Sequence, residues 1–281
     1  MVCIVHEAEV AGSSAGAGVQ RRSLLDGVRV PGARVEVDRL SFAPSGVMDL
    51  ALPPDCLGWF LMLRGSLDLS LPDKGHALEE AHAVVVPMGT KAVLRAGPTG
   101  AELLFARVPR ASQLDPGIEE RPPTLRIVDW AHEPVLDSRH DARRRIYVAT
   151  PKLTGSKAIK AEIIVYPPNT DGSNHHHEGA EHFMYVIEGG CTGYSDEVPH
   201  AYRAGDLVHH PDGERHFSST GAGGMTFIEF FVPAEYRTVW ADDTRVCTWL
   251  PTGKDSRGGK PSRDIAAHDS RAAAVAVPED L

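Results

Sequence analysis

The chain has 281 residues, of which 42% are hydrophobic and 24% charged, and this composition excludes disorder for the bulk of the chain. Its net charge is −9 and its basic residues are scattered, so we expect no nucleic-acid partner. The sequence has no apolar run of the ~18 residues that a membrane span needs and no secretory signal pattern. We therefore expect no membrane partner and a cytoplasmic location.

Short runs of β-branched and aromatic residues recur along the chain, bounded by Gly, Pro, Asp and Asn. This pattern is typical of an all-β sandwich or barrel. In chain order the predicted strands include Val35–Val37, Trp59–Leu63, Ala83–Val86, Glu102–Ala106, Ile159–Tyr166, Phe183–Ile187, Leu207–His209 and Met225–Val232. The sequence therefore predicts an all-β fold.

A change of composition indicates where the chain divides. Between Val108 and Asp141 the sequence shifts to Pro, Arg and Asp with few long apolar runs, which favours a domain junction. We predict one domain over residues 1–112 and a second over residues 113–251. Residues 252–281 form a predicted polar tail, because Thr252–His268 is too polar and Gly-rich to pack as a strand or helix.

The two predicted domains contain a repeated pattern. FMYVIEGG (Phe183–Gly190) is followed by AGDLVHHPDGERH (Ala204–His216). In the first half, FLMLRGSL (Phe60–Leu67) is followed by EEAHAVVVPMGTKA (Glu79–Ala92). Each pair is an apolar strand that reaches a glycine, followed later by a strand that ends in Pro-x-Gly. The repetition predicts a duplicated β module.

Histidines cluster in the second half, and four of them have the spacing of metal ligands. Alternate residues of a strand share one face, so His175 and His177 point the same way. His182 begins the next strand, and His216 follows a Pro-x-Gly turn. Because neutral imidazole suits Fe, Mn, Ni and Zn, we expect one divalent metal per chain, bound by these four residues. Glu181 is the alternative to His182 as the third ligand.

Two motifs in this region resemble those of the cupin family. The second cupin motif, G-x5-P-x-G-x2-H, is present as Gly205, Pro211, Gly213 and His216, and only its final Asn is replaced, by Thr220.

The first cupin motif is present as His175, His177, His182 and Gly189. Histidine stands where the family usually has glutamate, and counting back seven residues from Gly189 reaches His182 rather than Glu181. The resemblance implies a double-stranded β-helix, or jelly-roll, barrel with a mononuclear metal in its mouth.

The duplication extends the resemblance to most of the chain, which implies two cupin barrels in tandem. The first barrel lacks the metal residues, since Gly58 stands at the position of His182 and Ala92 at that of His216. We therefore expect a bicupin with a metal site only in its C-terminal barrel.

Four neutral ligands leave a divalent ion its full charge, which favours a small, anionic, chelating substrate. We expect an oxygen-dependent enzyme that resembles the cupin dioxygenases. One alternative is a redox-neutral hydrolase, isomerase or lyase that resembles the ureidoglycine aminohydrolases, which are also bicupins. A second alternative is a non-catalytic module that binds a metal or a ligand.

The remaining expectations concern residues around the metal. Glu181, Tyr185 and His210 are the candidates for a general acid or base. Lys160 and Glu162 share a strand face that either reaches the barrel mouth or is solvated. Symmetric oligomers are common among soluble proteins, so we also expect a homodimer.

Overall fold

The structure is a computed structural model that describes residues 1–269. Strands dominate the described chain and confirm the predicted all-β class. In chain order the first eight strands are β1 (Cys3–His6), β2 (Ser13–Leu25), β3 (Glu36–Ala51), β4 (Cys56–Ser70), β5 (Gly75–Glu79), β6 (His82–Val86), β7 (Lys91–Pro109) and β8 (Arg126–Asp129).

The strands of the second half are mostly shorter. They are β9 (Val135–Ser138), β10 (Arg144–Ala149), β11 (Lys160–Tyr166), β12 (His175–Glu178), β13 (Glu181–Ser195), β14 (Val198–Arg203), β15 (Asp206–His210), β16 (His216–Ser219), β17 (Met225–Val232), β18 (Arg237–Trp240), β19 (Thr248–Pro251) and β20 (His268–Asp269).

Helices are short throughout the described residues. The α-helices are α1 (Ala111–Leu114) and α2 (Pro151–Thr154), and the 3-10 turns are Glu7–Glu9, Trp130–His132 and Asp243–Arg245. None of the described helices is long and apolar enough to cross a membrane.

The described chain divides into two compact units. The first module comprises Val5–Asp129 and Thr154–Ala158, and the second comprises Met1–Ile4, Trp130–Leu153 and the described residues from Ile159 onward. The division follows Asp129, whereas the sequence predicts it after residue 112. The physical reason is strand pairing, because β8 pairs with β6 in the sheet of the first module. The predicted domain boundaries themselves stay a prediction.

The first module is one curled sheet in the order β2-β3-β7-β4-β6-β8, with β5 beside β4. All of its named pairs are antiparallel. Because side chains alternate across a strand, one face of each strand lines the inside. That inside is an apolar core that contains Leu40, Phe42, Phe60, Leu103 and Phe105.

The second module repeats this plan. Its sheet follows the order β18-β12-β16-β13-β17-β11-β10-β9-β19-β20. Its inner face carries Ile164, Met184, Val186 and Phe227 as a compact apolar core. The register within the sheet sets histidines side by side, since His175 on β12 pairs with His216 on β16.

Part of the predicted polar tail docks on the second module. Ile265 is buried with Tyr147 and Trp249, and Ser262 donates a hydrogen bond to Glu133 at 2.6 Å. His268 lies on β20, which pairs with β19, so this end of the tail does form a short strand. The segment is polar, as the sequence predicts, but a few side chains anchor it. Residues 270–281 of the predicted tail lie outside the described residues.

Candidate metal centre

Three short elements bring the predicted ligands together. His175 and His177 share one face of β12, and the backbone N–H of Gly213 donates to the carbonyl of His177 at 2.9 Å. This bond holds the Pro-x-Gly turn against β12, and His216 follows three residues later as the first residue of β16. His182 lies near the start of β13, the central strand of the module.

The rings form one continuous cluster. The ring centroid of His216 lies 4.6 Å from that of His175, 5.2 Å from that of His177 and 4.7 Å from that of His182. Two sets of three rings bring their nitrogens within 4.8 Å of one another. One set is His175, His177 and His216, and the other is His182, His210 and His216. His216 is common to both sets.

Hydrogen bonds fix which nitrogen of each ring stays free. Nδ1 of His175 donates to the carbonyl of Ser173 at 2.8 Å, and Nδ1 of His216 donates to the carbonyl of Glu214 at 2.9 Å. Nδ1 of His177 lies 3.1 Å from Oγ1 of Thr238. Nε2 of each ring is therefore the nitrogen left to bind a ligand.

The ring of His182 is held through its other nitrogen, Nε2. Its Nε2 donates to the carboxylate of Glu229 at 3.1 Å, so Nδ1 is its free nitrogen. Nδ1 of His182 and Nε2 of His177 and of His216 are all buried without a hydrogen-bond partner in the described structure. Three buried unpaired ring nitrogens in one cluster need an explanation, because leaving a buried polar atom unpaired costs ~1–3 kcal/mol.

Burial keeps these rings uncharged. It lowers the pKa of His175 and that of His182 to about 3, and it also lowers the pKa of His177 and His216. Neighbouring rings add to the effect. Neutral imidazoles with a free nitrogen are the form that binds Fe, Mn, Ni, Cu or Zn, so the residues present fit a divalent metal.

His210, a predicted acid or base, belongs to the second of the two sets of three rings. Its ring stacks 4.3 Å from that of His216, and its Nδ1 donates to the carboxylate of Glu214 at 2.9 Å. Burial lowers the pKa of His210 to about 4. It is not among the residues that line the cavity described below.

The other two predicted acid–base residues lie away from the cluster. His182, Met184 and Val186 share the inner face of β13, so Glu181 and Tyr185 occupy its outer face. Neither Glu181 nor Tyr185 lines the cavity, and the Glu181 carboxylate lies 3.7 Å from Nε2 of His209. Side chains alternate along β13, so Glu181 and Tyr185 point outward because His182 points inward.

A cavity of about 70 Å³ adjoins the histidines. It is lined by His175, His177, His182 and His216 and by apolar residues that include Met184 and Phe227. Several other lining residues have no signal in the sequence motifs, namely Arg143, Arg145, Tyr236, Trp240 and Cys247. Arg145 follows Arg144 on β10, and only the pairing of β10 with β11 shows that Arg145 is the one that reaches the cavity.

A buried network of charges lies beside the cavity. Glu162 is fully buried and lies 3.1 Å from Arg145 and 3.3 Å from Lys160. Lys160 Nζ donates to Tyr236 Oη at 2.9 Å, and Arg145 lies 3.7 Å from Glu229. Lys160 and Glu162 are thus inside the barrel, and the solvated alternative for their strand face is wrong. Alternation of charges within the apolar β11 was the only sequence signal for them.

The matching positions of the first module hold no histidine. A Cβ at Gly58 would lie 2.8 Å from Cδ1 of Leu52, and Ala92 belongs to the apolar core of that module. Its interior at this level is therefore filled by aliphatic side chains.

Comparisons with known proteins agree with this geometry. The cupin domain family matches residues 162–231, from β11 to β17, and no curated protein sequence matches the chain. One similar solved structure is an oxalate decarboxylase, described for a structural element that modulates proton-coupled electron transfer. It aligns with this chain with a TM-score of 0.68 at 15% identity, and the alignment covers 85% of this chain and 79% of that chain.

Two further solved structures are similar at the same level. One concerns the Mn(II) centres of Bacillus subtilis oxalate decarboxylase, with a TM-score of 0.67, 15% identity and coverage of 85% of this chain and 79% of that chain. The other is Bacillus subtilis oxalate decarboxylase at pH 4.6, with a TM-score of 0.66, 15% identity and coverage of 85% and 78%. At such identities the likeness shows a shared fold.

The matched family, the two curled modules and the shared fold lead to one assignment. Residues 162–231 match the cupin domain family, and the chain shares the fold of the solved oxalate decarboxylases, with two jelly-roll barrels in tandem.

Proposed function

We propose that the second barrel is a mononuclear metal-dependent enzyme that acts on a small, anionic, metal-chelating metabolite. The observation that carries the proposal is the set of buried, unpaired ring nitrogens, namely Nε2 of His177 and His216 and Nδ1 of His182. His175 completes the ligand set, with its ring 4.8 Å from that of His177. A bound divalent ion would satisfy these nitrogens and, as a Lewis acid, would polarise a carbonyl or carboxylate oxygen of the substrate.

The cavity supports a small substrate. Its volume of about 70 Å³ corresponds to about five ordered waters at ~10–15 Å³ each. A two- or three-carbon acid displaces about this number of waters. The described side chains therefore favour a compact substrate.

The charges at the cavity support an anionic substrate. The four imidazoles are neutral and leave the ion its positive charge, while Nε of Arg145 is buried without a hydrogen-bond partner. Arg145 lines the cavity, so this N–H can donate to a substrate carboxylate. Glu162 and Glu229 hold the guanidinium in place and offset its charge when no anion is bound.

Two reaction classes are consistent with this site. The first is an oxygen-dependent, dioxygenase-type oxidation, which the histidine-rich ligand set favours. The second is a redox-neutral lyase, and the likeness to oxalate decarboxylases favours it. The metal that those structures name is Mn(II), so manganese and iron are the first metals to test.

The test supplies metal and substrate together and follows oxygen. Protein loaded with Mn(II) or Fe(II) is given oxalate, glyoxylate or malonate in sealed cells, and oxygen uptake and carbon dioxide release are both measured. We expect turnover by the wild type and none by His216→Ala. Oxygen uptake in proportion to substrate consumed indicates the oxygen-dependent, dioxygenase-type class, and carbon dioxide release without net uptake indicates the lyase class. A folded, metal-loaded protein that turns over no small chelating acid would contradict the proposal.

A further inference from the structure

The first module has its own cavity, which no part of the proposed function uses. It has a volume of about 310 Å³, within the range of small-molecule sites, and it is lined by residues of β2, β3, β4 and β7. One side is apolar and carries Leu40, Met48, Leu50 and Phe105. The charged residues that line it are Arg21, Glu36, Asp38, Asp49 and Arg107.

The centre of the charged side is a buried carboxylate with one free oxygen. Asp38 is 2% exposed, and its Oδ2 accepts a hydrogen bond from Nη2 of Arg107 at 2.7 Å. Its Oδ1 is buried and has no hydrogen-bond partner. Burial raises the pKa of Asp38, although Arg107, Arg21 and a side-chain hydrogen bond with Ser23 act to lower it. A buried carboxylate oxygen left unpaired is costly, so this atom marks a place where a donor is missing.

An unpaired donor accompanies this acceptor on the same pair of side chains. Nε of Arg107 is also buried without a hydrogen-bond partner, while its Nη2 lies 3.1 Å from the Glu36 carboxylate. Asp38 and Arg107 both line the cavity. Each of these two lining residues therefore keeps one buried polar atom without a hydrogen-bond partner.

The duplication shows what the first barrel kept. The two modules can be aligned on Gly65 and Gly189, because each has a positive φ and lies close to the carbonyl oxygen of a second glycine. In this alignment Arg21 matches Arg145 and Asp38 matches Glu162. The two arginines also have equivalent registers, since Arg21 pairs with Leu40 and Arg145 with Ile164. The first barrel therefore keeps one arginine and one acidic residue of the second barrel's charged network, while its histidine positions are apolar.

We propose that the first barrel binds a small molecule that carries an amide or urea group, without a metal. The N–H of the ligand donates to Oδ1 of Asp38, its carbonyl oxygen accepts from Nε of Arg107, and its apolar part packs on Leu50 and Phe105. A carboxylate offers no donor to Asp38, and an ammonium offers no acceptor to Arg107. Because the carboxylates and guanidiniums of the cavity nearly balance, a neutral ligand leaves no buried charge unpaired.

The test compares three probes of one shape on the full chain. Benzamide, benzoate and benzylamine are titrated separately and followed by ligand-observed NMR. We expect benzamide to bind at least about tenfold more tightly than either charged probe, since only it matches both free groups. Equal or tighter binding of benzoate or benzylamine would overturn the proposal.

Variants locate the probe. We expect Asp38→Ala to weaken benzamide binding about tenfold or more. Leu50→Trp fills the cavity from its apolar side and leaves the Asp38–Arg107 pair intact, and we expect it to abolish benzamide binding. His216→Ala, in the second barrel, should leave the benzamide affinity within about twofold. The fold of each variant is checked by circular dichroism, and Leu50→Trp alone decides the matter if Asp38→Ala does not fold. Binding that survives Leu50→Trp but is lost in His216→Ala would place the probe in the second barrel and overturn the proposal. Benzamide binding in the first barrel is measured without metal or turnover, so its outcome does not depend on the function proposed for the second barrel.

Discussion

At the scale of single residues, the candidate metal centre depends on how each imidazole is held. Three rings are fixed through Nδ1, two of them by backbone carbonyls, so their Nε2 atoms point to a common space. His182 alone is fixed through Nε2, by Glu229, and presents Nδ1. Hydrogen-bonded carboxylates of this kind orient a histidine ligand and raise its basicity. Glu229 is therefore a positioning residue rather than a ligand.

This role predicts an effect of Glu229 on metal affinity. We expect Glu229→Ala to weaken metal binding by about 10–100-fold, the usual cost of removing such a partner, because His182 loses the bond that sets its ring. The affinity is measured by competition with a chelator of known strength, which requires no substrate.

Glu181→Ala is the matched control. Its carboxylate lies on the outer face of β13, one residue from His182, so we expect an affinity within about twofold of the wild type. If Glu181→Ala weakens binding more than Glu229→Ala does, then Glu181, the alternative considered in the sequence, is the third ligand and our reading of β13 is wrong.

At the scale of elements, one glycine in each module lets the central strand pass its neighbour. Gly189 on β13 has φ of 74°, and a Cβ there would lie 2.3 Å from the carbonyl oxygen of Gly224. Gly65 on β4 has φ of 78°, and its Cβ would lie 2.2 Å from the carbonyl oxygen of Gly100. Backbone oxygen cannot move aside as a flexible side chain can. The sheets therefore require glycine here for space as well as for conformation.

Two glycine variants separate these requirements. Gly213 also has a positive φ, of 81°, but no atom lies within 4 Å of its added Cβ. We expect Gly213→Ala to cost ~1–2 kcal/mol, the conformational penalty alone, and Gly189→Ala to cost at least ~2 kcal/mol more because of the backbone clash. Urea unfolding followed by tryptophan fluorescence measures both. Equal losses would show that β13 and the segment before β17 can separate at no cost.

At the scale of the whole molecule, the sequence predicted what depends on local pattern. Strand class, the duplication and the positions of His175 and His177 follow from alternation and spacing along one stretch of chain. The contacts that the sequence did not predict depend on the register between strands that are distant in the chain. Arg145 reaches the cavity only because β10 pairs with β11, and Glu229 meets His182 only because β17 lies beside β13.

Two further contacts also depend on more than local pattern. β8 joins the first module by pairing with β6, although the surrounding composition resembles a linker. Ile265 docks with Trp249 from within a polar segment, because one buried side chain and a few hydrogen bonds suffice to anchor it. Contacts of this kind leave little trace in composition or periodicity.

The central claim is that the clustered histidines of the second barrel hold one metal ion. Elemental analysis of protein produced with added manganese and iron tests it directly, in the wild type, His216→Ala and His176→Ala. His216 belongs to both sets of converging rings, whereas His176 belongs to neither and contacts Glu178. We predict about one metal per chain in the wild type and in His176→Ala, and less than about a tenth of that in His216→Ala. A folded wild-type protein without metal, or an equal metal content in His216→Ala, would contradict the account.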